Sequence, residues 1–205
     1  MKRFVVLLAA LLLSFQTHAA LVSHAGADII AAVSVQEDSP INTHQQGFNE
    51  KQSVYLTSAI NVDGGTIAAG QTVDSHLIFL NSKSSGKNYI DDSQQWKFDG
   101  AILGVMSNKS GSLMNATNGL FAAFNNYFTT GSSLPFNAAG LEQNNILTGD
   151  GYFINGLLLD VRMEVTEPGD WIRVITASAV PVPAAILLFA PALLGFLGLR
   201  RKAKV

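Results

Sequence analysis

Apolar and polar residues alternate with period two along several short stretches of this chain, and turn-forming residues separate them. Leu159, Val161, Met163 and Val165 alternate with Asp160, Arg162 and Glu164, which places the first set on one face of a strand. Glu167-Pro168-Gly169-Asp170 then supplies proline and glycine in the order of a type II turn. Trp171-Ile172-Arg173-Val174-Ile175 returns, so the pattern predicts a β-hairpin. Pairs of Arg162 or Arg173 with Asp160 or Glu164 would lie on its polar face and contribute only tenths of a kcal/mol if exposed.

Upstream, Val54, Leu56 and Ile60 alternate with Tyr55, Thr57 and Ala59, and Asp63-Gly64-Gly65 ends that stretch as a turn. Leu77-Ile78-Phe79-Leu80 is an apolar run that fits a strand buried on both faces, closed by the polar residues from Asn81 to Gly86. Residues 102–106 form another such run, and before it Trp96 and Phe98 share one face of an extended segment. Residues 20–52 read as a polar lead-in with one or two short strands. Leu113, Ala116, Leu120, Phe121, Phe124 and Phe128 recur at helical spacing and predict one short helix between Gly111 and Phe128. No repeat of fixed period occurs. The expected fold is therefore mainly β, an antiparallel β-sandwich or jelly-roll-like domain with one short helix.

Both ends depart from this pattern. Met1-Lys2-Arg3 is a basic start, Phe4 to Leu13 is unbroken apolar sequence, and Thr17-His18-Ala19 puts small residues where a signal peptidase needs them, with cleavage expected between Ala19 and Ala20. Ten apolar residues span about 15 Å as a helix, half of a hydrocarbon core, which favours a cleaved signal over a membrane anchor. No charge occurs between Arg173 and Arg200, and residues 180–199 would reach about 30 Å as a helix, enough to cross a bilayer. Arg200, Arg201, Lys202 and Lys204 follow that stretch and predict a cytoplasmic end. Pro191 within it is better tolerated in a membrane helix than in a water-exposed one. Three segments result: a signal peptide at 1–19, an exported β domain at 20–175 and a tail at 176–205. The tail comprises a proline motif at 180–183, a single transmembrane helix at 184–199 and a basic end at 200–205.

Pro181 and Pro183 fix two dihedrals and bias Val180 and Val182 toward extended backbone, a form that a processing enzyme can seat in a cleft. The order of Val180-Pro181-Val182-Pro183, apolar span and Arg200-Arg201 resembles the PEP-CTERM sorting signal of Gram-negative bacteria. Val182 stands where that family's name implies glutamate, which leaves the motif without a carboxylate. The resemblance implies a substrate of an exosortase, a membrane-embedded transpeptidase-like enzyme, and not an enzyme in its own right. It also implies passage through the inner membrane to the cell surface or extracellular matrix, and a structural or adhesive role with exopolysaccharide in biofilm. Gln46-Gly47-Phe48-Asn49-Glu50, Val73-Asp74-Ser75-His76, Trp96-Lys97-Phe98-Asp99-Gly100 and Gly104-Val105-Met106-Ser107 also resemble phrases of a core found in such tail-bearing proteins, a core that brings no activity with it. Two competing classes are an exported enzyme acting on polysaccharide and a permanently membrane-anchored binding domain.

Charge sharpens the picture. Residues 20–183 hold seven Lys and Arg against all fifteen Asp and Glu, a net charge of −8 where the whole chain has −2. A surface of that sign repels phosphate backbones, which argues against nucleic acid as a partner. The chain has no cysteine, which excludes disulfides, thiolate nucleophiles and cysteine zinc sites.

Candidate chemistry is sparse. His24, His44 and His76 lack the spacing of a metal-binding helix, and neither a Gly-x-Ser-x-Gly elbow nor His-Glu-x-x-His occurs. His76 adjoins Asp74 and Ser75, but neighbours on a strand point to opposite faces and do not assemble a relay. Asp91 and Asp92 are the foremost calcium candidates, with Asn88, Ser93 and Asp99 nearby and Asp63 and Asp150 in other glycine turns. Carboxylates in turns are more often solvated turn formers. Trp96, Trp171, Tyr89 and Tyr127 offer aromatic faces to sugar rings, with core packing the commoner role for tryptophan.

Overall fold

The computed structural model describes residues 20–23, 26–31, 34–36, 38–84, 89–122, 139–142, 145–147, 149–166 and 169–178. Among them lie eleven strands and one helix: β1 (Leu21–Ser23), β2 (Asp28–Ile29), β3 (Gln46–Tyr55), β4 (Ile60–Val62), β5 (Gly65–Ile67), β6 (Thr72–Leu80), β7 (Ile90–Phe98), β8 (Ile102–Met106), α1 (Ser112–Phe121), β9 (Gly151–Asn155), β10 (Leu158–Val165) and β11 (Asp170–Ala177). The chain is mainly β. The signal segment through Ala19, the motif Val180 to Pro183, the span 184–199 and Arg200 and Arg201 lie outside the described residues. Among the described residues, no helix is long and apolar enough to cross a membrane.

Three sheets form, with strand orders β1-β7-β10-β9, β2-β3-β6-β11-β8 and β4-β5. Every pairing is antiparallel except β2 with β3. The five-stranded sheet is the middle layer because β6 and β11 are apolar on both faces. Their alternate residues feed two separate cores. Leu77, Phe79, Trp171 and Ile175 pack with Met114 and Phe121 of α1 and with Ile60, Val62 and Ile67 of the β4-β5 hairpin. Ile78, Leu80, Ile172 and Val174 pack against Trp96, Phe98, Leu159, Val161 and Met163 of the four-stranded sheet. Each fully buried aliphatic or aromatic side chain contributes about 1.5–3 kcal/mol from removal of apolar surface from water.

The hairpin expected from residues 159–175 does not form. Both strands exist, but β10 pairs with β7 and β9, whereas β11 pairs with β6 and β8. Their patterns explain the split. β10 buries every second residue and presents Asp160, Arg162 and Glu164 on the other face, so it needs a sheet with one face in water. β11 is buried from Asp170 through Thr176 and needs a layer on each side. The chain therefore crosses from one sheet to the other after Val165; Glu167 and Pro168 of the predicted turn lie outside the described residues.

Other expectations shift as well. The lead-in contains the long strand β3, which starts at Gln46, and the stretch expected from Val54 to Ile60 breaks between β3 and β4. Asp63-Gly64 does turn the chain, joining β4 to β5 with Gly64 at φ +71°, a conformation that favours glycine. Asp91 and Asp92 sit within β7 and not in a turn. The helix ends at Phe121, and its buried stripe is Met114, Thr117 and Phe121, spaced by three and four residues as one helical face requires. Ala116 is exposed; Phe124 and Phe128 lie outside the described residues.

Candidate functional site

Among the described residues, the middle sheet carries a buried hydrogen-bonded network of polar side chains on each face. Arg173 is fully buried, as is Glu50 on β3. Arg173 Nε–H donates to Glu50 Oε2 at 2.7 Å, and its terminal nitrogens donate to Glu50 Oε1 at 2.7 Å, Met114 O at 2.6 Å, Thr117 Oγ1 at 2.9 Å and Asn118 Oδ1 at 2.9 Å. The guanidinium has five donors in a planar fork, and all five are used. Ser75 Oγ donates to the same Glu50 carboxylate at 2.6 Å. This constellation clamps α1 to the middle sheet, and it corrects the expectation that Arg173 pairs with Asp160 or Glu164 on an exposed hairpin face. Arg162 does meet Glu164, and it also grips Asp91 with two hydrogen bonds.

On the opposite face, His76 Nδ1–H donates to Asn49 Oδ1 at 2.8 Å and Nε2 accepts from Thr176 Oγ1 at 2.9 Å. Burial pushes this imidazole down to about 3, so it is neutral at physiological pH. Asp74 accepts from the Ser53 amide and from Ser178 Oγ. Ser75 thus points toward α1 while His76 points toward the four-stranded sheet, stacking near Phe98. Asp74, Ser75 and His76 are not brought together as a relay. His44 lies 2.8 Å from Asp28, and His24 lies outside the described residues.

The calcium candidates part in the same way. Asp91 is held by Arg162, which keeps its carboxyl below the usual carboxylate range. Asp92, one residue on and facing inward, accepts from the Gln45 amide at 2.7 Å and from Gln94 Nε2 at 2.8 Å. Among the described residues, no group of three or more acidic or histidine side chains is arranged to hold a metal ion. Trp96 and Trp171 are buried, the first donating to Gln45 Oε1 and the second stacked on Phe79 with ring centroids 4.2 Å apart. Tyr89 is exposed, and Tyr127 lies outside the described residues.

Two open cavities flank Leu113 on the helix side. One, about 340 Å³, is lined by Ala59, Ile60, Ala116, Leu120 and neighbouring polar groups without a charge. The other, about 400 Å³, is lined by Asp63, Ser107, Asn108, Lys109, Leu141 and Glu142. Asp63 Oδ2 there accepts from the Ser107 amide at 2.9 Å, Ser107 Oγ at 2.6 Å and Tyr152 OH at 3.2 Å, and Lys109 faces Glu142 at 3.4 Å. The Ser107 hydroxyl donates to the Asp63 carboxylate, and no histidine is among the described residues that line this cleft, so what these residues offer is a set of hydrogen-bonding groups. Of the two cavities it is the one lined by charged groups. Nothing in the spacing of Asp63, Ser107 and Glu142 signalled it, since they converge only through the β4-β5 turn, the segment before α1 and the segment at Leu141 and Glu142.

A third polar cluster joins Asp150, Asp170 and Glu142. Asp150 accepts backbone N–H groups from Glu164 and Glu142. Asp170 is 5% exposed, and its Oδ2 has no hydrogen-bond partner among the described residues. Burial, with Asp150 and Glu142 close by, pushes the Asp170 carboxyl up to about 8. A protonated Asp170 is what such surroundings favour at neutral pH.

No protein-family model, curated protein or solved structure matches this chain.

Proposed function

We propose that this chain is an exported surface or matrix protein, the substrate of an exosortase-like processing enzyme, with a structural or adhesive role in exopolysaccharide or biofilm. The observation that carries the reading is the sequence of segments in the tail. Three residues after β11 ends at Ala177, the sequence runs Val180-Pro181-Val182-Pro183, then an uncharged apolar span, then Arg200-Arg201-Lys202. The paired prolines hold the recognition segment extended, the span halts export in the inner membrane, and the basic end stays on the cytoplasmic side. Every described strand ends before the motif begins, so cutting near Pro181 to Pro183 would release the domain without removing any described element.

In this reading the domain is a sandwich-type carrier with a helix-and-hairpin third layer, delivered by signal peptidase cleavage between Ala19 and Ala20 and then by the sorting enzyme. Neither a cofactor nor bound calcium is part of the proposal.

Intact mass spectrometry of the protein recovered from the native cell surface or medium tests it. A mass spanning Ala20 to the neighbourhood of Pro183 is the expected result. A C-terminus still at Val205 would make the tail a permanent anchor and remove the sorting assignment. Replacing Arg200 and Arg201 with alanine should block processing; unchanged display and processing would remove the basic element from the signal.

A further inference from the structure

Sheets end in edge strands whose free N–H and C=O groups pair readily with another chain, and proteins normally blunt them with charge, proline, shortness or a cover. Three of the four edges of the larger sheets here are treated in that way. β1 and β2 have only three and two residues, and β8 is met by the β4-β5 hairpin, where the Asp63 amide donates to Val105 O at 2.8 Å. β9 is the exception. Among the described residues its one strand neighbour is β10, and residues 151–159 contain no charged residue and no proline.

The apolar surface of the described chain also gathers there. Phe153 is 59% exposed, Ile154 38% and Leu157 41%, and Leu147, in the turn leading to β9, is 85% exposed. These are half of the eight large hydrophobic residues exposed among the described residues. Scattered apolar residues need no explanation, but a cluster along an open edge marks an interaction surface.

We propose that β9 is a self-association edge, on which a second copy of this chain adds its own β9 in antiparallel register. Self-complementarity selects this occupant. Residues 20–183 carry −8 and so copies repel elsewhere, whereas β9 is uncharged, so an antiparallel pair of β9 strands opposes apolar and neutral residues alone and meets the requirement that a two-fold interface fit itself. Side-chain alternation limits the register. Phe153 shares the outer face with Asp160 across the β10 ladder, while Tyr152 and Ile154 lie opposite Val161 and Leu159 on the inner face. A two-fold axis normal to the sheet keeps outer residues with outer ones only if it passes through a residue. Placed on Phe153, it sets Phe153 against Phe153 and Tyr152 against Ile154, joining two four-stranded sheets into one of eight strands. The association does not depend on whether the tail is cut.

The chain has no cysteine, so single-cysteine variants report cleanly. Phe153→Cys, Asn155→Cys and Ser93→Cys are oxidised in the full chain in cell envelopes and read as disulfide-linked dimer on non-reducing gels. Opposed residues on the axis meet disulfide geometry, whereas residues two positions off the axis are separated from their copies by about 13 Å along the strands. Phe153→Cys should therefore give at least about tenfold more dimer than either control. Phe153→Lys, which opposes two cations on the axis and leaves an exposed position exposed, should also abolish dimer in sedimentation while its circular dichroism matches the parent. The proposal is overturned by a Phe153→Cys yield no higher than Ser93→Cys, by an adduct whose mass corresponds to another protein, or by a Phe153→Lys chain that sediments as the parent does.

Discussion

Arg173 and Glu50 offer a demanding test, because the clamp they form joins strands 123 residues apart in sequence and both side chains are fully buried. Arg173→Met removes the guanidinium, leaves the Glu50 carboxylate buried with Ser75 still donating to it, and removes the hydrogen bonds that tie Thr117 and Asn118 of α1 to β11. Removing one partner of a buried ion pair destabilises by about 3–5 kcal/mol, a large part of the roughly 5–15 kcal/mol that holds a domain folded. With a slope of about 2 kcal/mol per molar urea, the unfolding midpoint should fall by roughly 1.5–2.5 M. Glu50→Met should cost about as much, since it strands a buried cation. The Glu50→Met/Arg173→Met double variant places two apolar chains where the pair stood, and replacements of this kind are often near neutral. Its loss should then be well below the sum of the singles, giving a coupling energy of at least about 3 kcal/mol. Urea unfolding of the four proteins ending at Ala179, followed by the fluorescence of Trp96 and Trp171, measures this. If Arg173→Met costs under about 1 kcal/mol, or if the two single losses simply add, the clamp is not what holds α1 to the sheet.

Further outcomes follow from the same geometry. Asp170 is lifted from 3.8 to about 8 by burial and by Asp150 and Glu142, so the folded state holds a proton that the unfolded chain releases. That stabilisation is complete below pH 3.8 and is lost as pH rises through about 8. Asp170→Asn should flatten the alkaline fall in thermal midpoint between pH 6 and pH 9, and an unchanged slope would refute the assignment. His76 works in the opposite sense: its ring is lowered from 6.5 to about 3, so its share of stability is present above pH 6.5 and lost as pH falls toward 3. His76→Gln should shrink the loss measured between pH 6.5 and pH 5, above the range where ordinary carboxylates titrate. A Cβ added to Gly104 would lie 2.7 Å from Val62 Cγ2 and 2.8 Å from Val62 Cβ. Gly104→Ala should therefore lower stability by about 1–3 kcal/mol through overpacking of the β4-β5 hairpin on β8, as read by urea unfolding.

What the sequence by itself determined was the local extended structure and the faces of its clearest strands. The alternation of Leu159 to Val165 placed β10, the doubly apolar run at Leu77 to Leu80 placed the core of β6, and Asp63-Gly64 placed a turn, because strand periodicity and positive φ are properties of neighbouring residues. The shared face of Trp96 and Phe98 was legible for the same reason. Part of the candidate site was legible too: Asp63 stood out in its glycine turn, but Ser107, Lys109 and Glu142 did not, since their convergence depends on three separate segments. Tertiary structure alone decided partnership. Periodicity says that β10 has one wet face and that β11 has none, but not which strands will cover them, and the hairpin was lost to that distinction. Arg173 reads as a surface cation until Glu50, Thr117 and Asn118 arrive from distant segments to replace its water. Asp91 and Asp92 read as a paired ligand until β7 turns their side chains to opposite faces. In each case the deciding free energy is the desolvation of a charge or of an apolar face, and that quantity is set by whatever packs on top, not by the residues on either side.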